Sequence, residues 1–230
     1  MPCALRPARC PEPFVRSRPV SSIWPVPGLA GQTHALSCAR SSINAEKRPL
    51  EVWLFGYGSL IWRPDFPFLE RAPARIRGWE RRFWQGSHDH RGVPHAPGRV
   101  VTLIESEGAV CQGMAYKLDG DVLHATFEHL DHREKNGYER CMAPLVLAPN
   151  AHGQEVTVEG VFYVAPLNNP AFLGDAPLSE MVEQIRVARG PSGANIDYVL
   201  ELDAALTRLG AHDAHVRELA SRLNADDQAS

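Results

Sequence analysis

The chain has 230 residues, 44% of them hydrophobic and 22% charged, with a formal net charge of −3. That is the balance of an ordinary globular protein, with no net positive charge to draw nucleic acid or an acidic membrane surface. No run approaches the roughly 20 uninterrupted apolar residues that a membrane-spanning helix needs.

Seven of the 24 Lys and Arg residues, but only two of the 27 Asp and Glu, fall within residues 1–50. This stretch is rich in Pro, Arg, Ser and Ala and lacks sustained periodicity. It is expected to be a disordered extension: a transit-like segment, or the product of an upstream start codon. A second region, 51–225, carries the structured pattern. Only Cys111 and Cys141 of the five cysteines lie there, and no CxxC pair is present. Buried thiols in a reducing, cytoplasmic compartment are expected, with a Cys111–Cys141 disulfide as the alternative and organelle delivery by 1–50 as another.

Taken in chain order, Val52 to Phe55 is a short apolar run stopping at Gly56, as a buried strand entering a turn would. Further strands are predicted over Ala74–Phe83, Arg99–Ile104, Ala109–Leu118, Cys141–Leu147 and Glu155–Val164. In the last, Val156, Val158, Phe162 and Val164 recur with a period of two. Asp121 is expected to cap a helix running to about Leu130, with Leu123, Phe127 and Leu130 on its apolar side. The last quarter reads as three helices: one opened by Pro177-Leu178-Ser179 and stopped at Gly190-Pro191; one carrying Val199, Leu202, Leu206 and Leu209 and stopped at Gly210; and one over about Asp213–Leu223. Strands followed by a run of helices define an α+β class.

Phe55-Gly56-Tyr57-Gly58-Ser59-Leu60-Ile61 is the sharpest local feature. Two glycines around an aromatic residue, just after a strand, allow a tight turn that presents successive N–H groups to an anion; positive φ is expected at Gly58. The plain alternative is a turn that only closes the strand. Ile61 stands where a dinucleotide fingerprint needs its third glycine, and no Gly-Lys-Ser/Thr follows. Ser59 lacks the Gly-x-Ser-x-Gly elbow of a serine hydrolase.

Read together, four blocks in order resemble the ChaC-type γ-glutamyl cyclotransferases. They are Phe55–Trp62; Arg81-Arg82-Phe83-Trp84-Gln85-Gly86-Ser87 running through Asp89-His90-Arg91-Gly92-Val93-Pro94 to Pro97–Leu103; Leu130-Asp131 with Arg133-Glu134-Lys135 and Gly137-Tyr138; and Gly190-Pro191-Ser192-Gly193 with Asn195 and Tyr198. They span about residues 52–210. Departures are His88, His132 and Asn136.

The resemblance implies a small barrel of mixed strands flanked by helices. It also implies cyclisation of a γ-glutamyl group, with glutathione as substrate and 5-oxoproline and Cys-Gly as products. Glu134 matches the family's acid/base, and Gly56, Tyr57, Gly58, Ser59, Leu60 and Ile61 its γ-glutamyl cradle. Tyr138 and Tyr198 are candidate pocket walls, each with a core role as the alternative. Arg91 is a candidate for a substrate carboxylate, with a structural ion pair as the alternative. No cofactor, metal, nucleic acid, membrane or obligate protein partner is implied. The rival readings are a cyclotransferase for other γ-glutamyl amines, a non-catalytic γ-glutamyl-binding protein, and a metal site. The last would draw on His88, Asp89 and His90, or on His124, Glu128 and His132.

Overall fold

The computed structural model describes residues 52–133 and 137–227. The expected extension over 1–50 and the candidate acid/base Glu134 both lie outside the described residues.

Five strands close into a barrel: β1 (Val52–Gly56), β2 (Glu70–Ser87), β3 (Gly98–Leu118), β4 (Glu139–Leu147) and β5 (Val156–Val164). Their order around it is β1-β3-β2-β4-β5, and the seam between β5 and β1 is the parallel pairing. The barrel accounts for the continuous apolar run of β1. Phe55 joins Phe83, Leu103 and Phe162 in one core, while Leu54 joins Tyr116, Leu118 and Leu130 in another. Leu130 belongs to α1 (Leu123–Arg133), which buries this outer face. A strand covered on both sides loses the alternation that a half-solvated one keeps.

β3 is one strand where two were expected. The polar Glu105-Ser106-Glu107-Gly108 stretch interrupts the apolar pattern, yet the ladder with β2 runs on past it with a register shift between Arg77 and Trp79. Gly78 and Gly108 both take positive φ there, which suits glycine and lets the long hairpin bend. Ahead of α1, Asp119 supplies a side-chain acceptor, taking the Asp121 N–H at 3.0 Å.

Three helices follow: α2 (Leu178–Val187), α3 (Asn195–Arg208) and α4 (Ala214–Asp227). α2 ends before the expected Gly190-Pro191, because Arg189-Gly190 leaves it to pair with Gly193-Ala194. α3 stops as expected. Gly210 has φ +65, and the Ala211 N–H reaches back to the Leu206 carbonyl at 2.9 Å, a glycine-terminated cap. Asp213 opens α4 by accepting the Val216 N–H at 3.1 Å. Met181, Ile185, Val199, Leu202, Val216 and Leu219 carry the barrel core outward through these helices. Cys111 is a buried free thiol, so the Cys111–Cys141 disulfide is set aside, and Cys141 is only half-buried where a buried thiol was expected. No described helix is long and apolar enough to cross a membrane.

Candidate active site

The chain leaves β1 at Gly56 and folds at once into a single 3-10 turn, Ser59–Ile61. The Ile61 N–H donates to the Gly58 carbonyl at 3.0 Å, and the Arg63 N–H to the Ser59 carbonyl at 2.8 Å. Gly58 does not take the expected positive φ, and neither does Gly56. Space is what requires them. A Cβ on Gly56 would stand 2.6 Å from the Leu60 Cβ, and one on Gly58 would stand 2.9 Å from the Tyr198 hydroxyl.

Three hydrogen bonds hold the loop in place. Arg81 Nε donates to the Tyr57 carbonyl at 2.7 Å, Tyr116 Oη to the Leu60 carbonyl at 2.5 Å, and Tyr57 Oη to the Tyr163 carbonyl at 2.6 Å. Burial pushes the Tyr116 phenol up to about 12, which keeps it a neutral donor. A trans peptide points its N–H opposite to its C=O. Anchoring the Tyr57 carbonyl on Arg81 therefore turns the Gly58 N–H away from that guanidinium. Ile61 departs from the expected cradle, since its N–H serves the turn and its side chain is buried in the core.

Phe55, Gly56, Tyr57, Gly58, Ser59 and Leu60 line a small open cleft, closed on its other sides by Val101, Tyr138 and Tyr163. Among these described residues no carboxylate, imidazole or amine faces the cleft. Tyr138 donates to the Val101 carbonyl at 3.3 Å. Just before it, Gly137 takes φ +82, where a Cβ would also meet the Asn169 side chain at 2.7 Å.

Tyr198 stands behind Gly58, its ring 5.6 Å from that of Trp62 and 6.0 Å from that of Phe83. Arg91 packs its guanidinium 5.6 Å from the centre of the same ring and donates to the Ala194 carbonyl at 2.9 Å. Arg91 is thus placed against Tyr198 and the start of α3, and is not among the residues lining the cleft. Asn195 is fully buried and bonds both the N–H and the carbonyl of Arg99, at 2.6 and 2.8 Å, tying α3 to β3.

Among the described residues no three His, Cys, Asp or Glu side chains converge as metal ligands. His90 faces Ser192, His124 pairs with Glu128 in solvent, and the His132 side chain is not among those described.

Arg81, Tyr116 and Tyr163 were not identified as site residues from sequence. Arg81 carried a signal. It falls in step with Phe83 on β2, and an arginine at an inward strand position needs buried partners.

A barrel mouth with this loop defines a class, and the comparisons identify it. The family model described as ChaC-like protein matches residues 52–226, and the chain belongs to that family. It is 43% identical over 178 residues to Gamma-glutamylcyclotransferase 2-3 of Arabidopsis thaliana, covering 76% of this chain and 89% of that one. With Glutathione-specific gamma-glutamylcyclotransferase 1 of Homo sapiens the identity is 38% over 172 residues, covering 73% and 76%. The crystal structure of the yeast γ-glutamyl cyclotransferase specific to glutathione superposes with a TM-score of 0.69 at 30% identity, covering 76% of this chain and 96% of that one.

Proposed function

We propose that this chain is a γ-glutamyl cyclotransferase that cleaves glutathione to 5-oxoproline and Cys-Gly. The observation that carries the reading is the family match over the whole barrel and its helices, which includes the loop at the barrel mouth.

The nucleophile belongs to the substrate. The α-amine of the γ-glutamyl group attacks its own γ-carbonyl carbon, a five-membered lactam forms, and the bond from that carbon to the cysteine nitrogen breaks. The ammonium loses two protons in becoming the lactam N–H, one before attack and one after. The departing nitrogen takes one as the C–N bond breaks and a second to become the ammonium of Cys-Gly, so neither water nor a redox partner enters the balance. Holding the glutamyl chain bent supplies the larger share, roughly 7–11 kcal/mol in favourable cases. The cradle does this, with Tyr138 beside it and Tyr198 behind Gly58. The loop N–H groups from Tyr57 to Leu60, Gly58 foremost, stabilise the negative charge on the carbonyl oxygen. Glu134 moves the proton. It is the resembling family's acid/base, and it lies four positions before Tyr138 of the cleft, whose described lining holds no carboxylate or amine. Arg91 enters this reading as the support behind Tyr198.

A cytoplasmic location fits the buried free thiol of Cys111. Fusing residues 1–50 to a fluorescent reporter tests organelle delivery. The test of the reaction is incubation with glutathione and detection of 5-oxoproline and Cys-Gly in equal amounts. γ-Glutamyl-alanine and oxidised glutathione are expected to be poor substrates. Release of 5-oxoproline from γ-glutamyl-alanine at equal kcat/KM would overturn the specificity and leave the reaction type standing.

A further inference from the structure

Arg140 and Tyr163 stand directly opposite each other on the β4–β5 ladder. Asp131, on the last turns of α1, reaches both. Tyr163 Oη donates to its Oδ1 at 2.7 Å, and Arg140 Nη2 to its Oδ2 at 2.7 Å. One carboxylate is held at both oxygens, by a neutral donor and a charged one. Arg140 is itself steadied by the Phe127 ring, 5.0 Å from its guanidinium carbon.

The connectivity gives this contact its meaning. Asp131 and Arg140 are nine positions apart, so their ion pair closes a short loop of chain, and Glu134 lies within it. Tyr163 serves the opposite wall as well. Its backbone carbonyl takes the Tyr57 phenol, so one residue of β5 fastens both the glycine loop and the end of α1.

We propose that Asp131, Tyr163 and Arg140 form a clasp that sets the position of Glu134 relative to the glycine loop; the inference rests on Glu134 being the acid/base. The three act as positioning residues. The Asp131–Arg140 pair is half exposed, at 41% and 48% of the side-chain surface, and alone would be worth little. Tyr163 is 6% exposed, so its bond to Asp131 is less screened and carries more of the clasp. A reacting group displaced by about 1 Å costs on the order of 100-fold, and losing one anchor of several costs less than that.

The test uses the full chain with Tyr163→Phe, Asp131→Asn and the double variant, each assayed for kcat, KM and Tm with glutathione. Tyr163→Phe keeps its ring packing, so it carries the test if Asp131→Asn folds poorly. The expected result is a kcat about 10-fold lower in each single variant, with KM within about twofold and the double variant no worse than the weaker single. An unchanged kcat in Tyr163→Phe would overturn the proposal. So would a raised KM at full kcat, which would make Tyr163 a substrate contact, or losses that multiply in the double variant. Glu134→Gln, run in parallel, separates the two readings. If it is inactive while the clasp variants match wild type, only the clasp fails. If it stays active, the acid/base assignment fails, and the clasp proposal with it.

Discussion

Arg81 Nε donates to the Tyr57 carbonyl at 2.7 Å, which fastens the back of the glycine loop to a guanidinium only 2% exposed. The same side chain bonds Asp213 through Nη1 at 2.7 Å and the Gln112 carbonyl through Nη2 at 2.5 Å. The loop, the start of α4 and β3 therefore share one cation. Arg81→Lys keeps the charge but replaces a planar fork with a point donor that cannot reach all three acceptors. Breaking a buried charge network of this kind typically costs ~3–5 kcal/mol, read as a lower urea midpoint. A loss below about 1 kcal/mol, the scale of an exposed pair, would show that the fork is dispensable.

Gly58 tests whether the loop is limited by space or by backbone angle. Its φ is −118, outside the left-handed region, and a Cβ would lie 2.9 Å from the Tyr198 hydroxyl and 3.1 Å from Val101. Gly58→Ala is expected to cut activity at least ~10-fold by shifting the loop, and Gly58→Val to abolish it. Tyr198→Phe removes the hydroxyl in the way. If contact is the cause, Gly58→Ala loses less activity in a Tyr198→Phe background than in wild type. Equal losses in both would assign the effect elsewhere.

His215 sets an acid limit on stability. Its Nε2 accepts the Phe83 N–H at 3.2 Å, which requires an unprotonated nitrogen. Burial, then the nearby Arg82, hold its pKa down from 6.5 to about 4, against an opposing pull from Asp213. Above about pH 6.5 the ring is neutral in both folded and unfolded chains and adds no pH dependence. Between about 6.5 and 4 the unfolded chain takes up a proton that the folded one refuses, so stability falls with pH, by at most ~3 kcal/mol. Urea midpoints at pH 7.5 and 4.5 measure this. In His215→Gln, whose side-chain oxygen can accept the same N–H, the difference between the two pH values is expected to shrink. An undiminished difference would mean that other groups set the acid limit.

The parts legible in the sequence were those in which a local rule and the tertiary structure agree. The turn after Phe55 needed small residues, and Gly56 and Gly58 announced it. The four-block resemblance implied the mixed barrel, and its closure by a parallel β1–β5 seam appears only in the structure. The sequence of β3 resembles two strands because Glu105-Ser106-Glu107 breaks the apolar period, although pairing with β2 depends on backbone groups that composition does not report. The roles of Tyr116 and Tyr163 were hidden for a related reason. Tyr116 acts through its phenol on a partner 56 positions away, and Tyr163 through its phenol on one 32 away and its carbonyl on one 106 away, distances that periodicity does not span. Glycine spacing places the Ile61 N–H in the cradle, whereas the 3-10 turn takes that donor for itself.

The most consequential expectation concerns Glu134→Gln, a variant that folds and binds glutathione but barely turns it over. Glutamine keeps the shape of the side chain and can still meet the substrate amine, yet it neither accepts nor returns a proton at neutral pH. Loss of general acid–base help costs ~100- to 10,000-fold. One residue serving both the ammonium and the leaving nitrogen places the loss in the upper part of that range. Binding is expected to persist because, in the proposed reaction, the γ-glutamyl group is held by the loop from Gly56 to Leu60, which Arg81, Tyr116 and the Tyr57–Tyr163 bond fasten without the carboxylate. Isothermal titration of glutathione against Glu134→Gln checks the binding, and 5-oxoproline release checks the chemistry. Glu139→Gln is the control, since Glu139 is exposed at the start of β4, and its kcat should stay near wild type. Asp131→Asn should fall between the two. A Glu134→Gln enzyme retaining more than about a tenth of wild-type kcat, well above the expected loss, would remove Glu134 from the mechanism. A dead Glu139→Gln would point to that carboxylate instead.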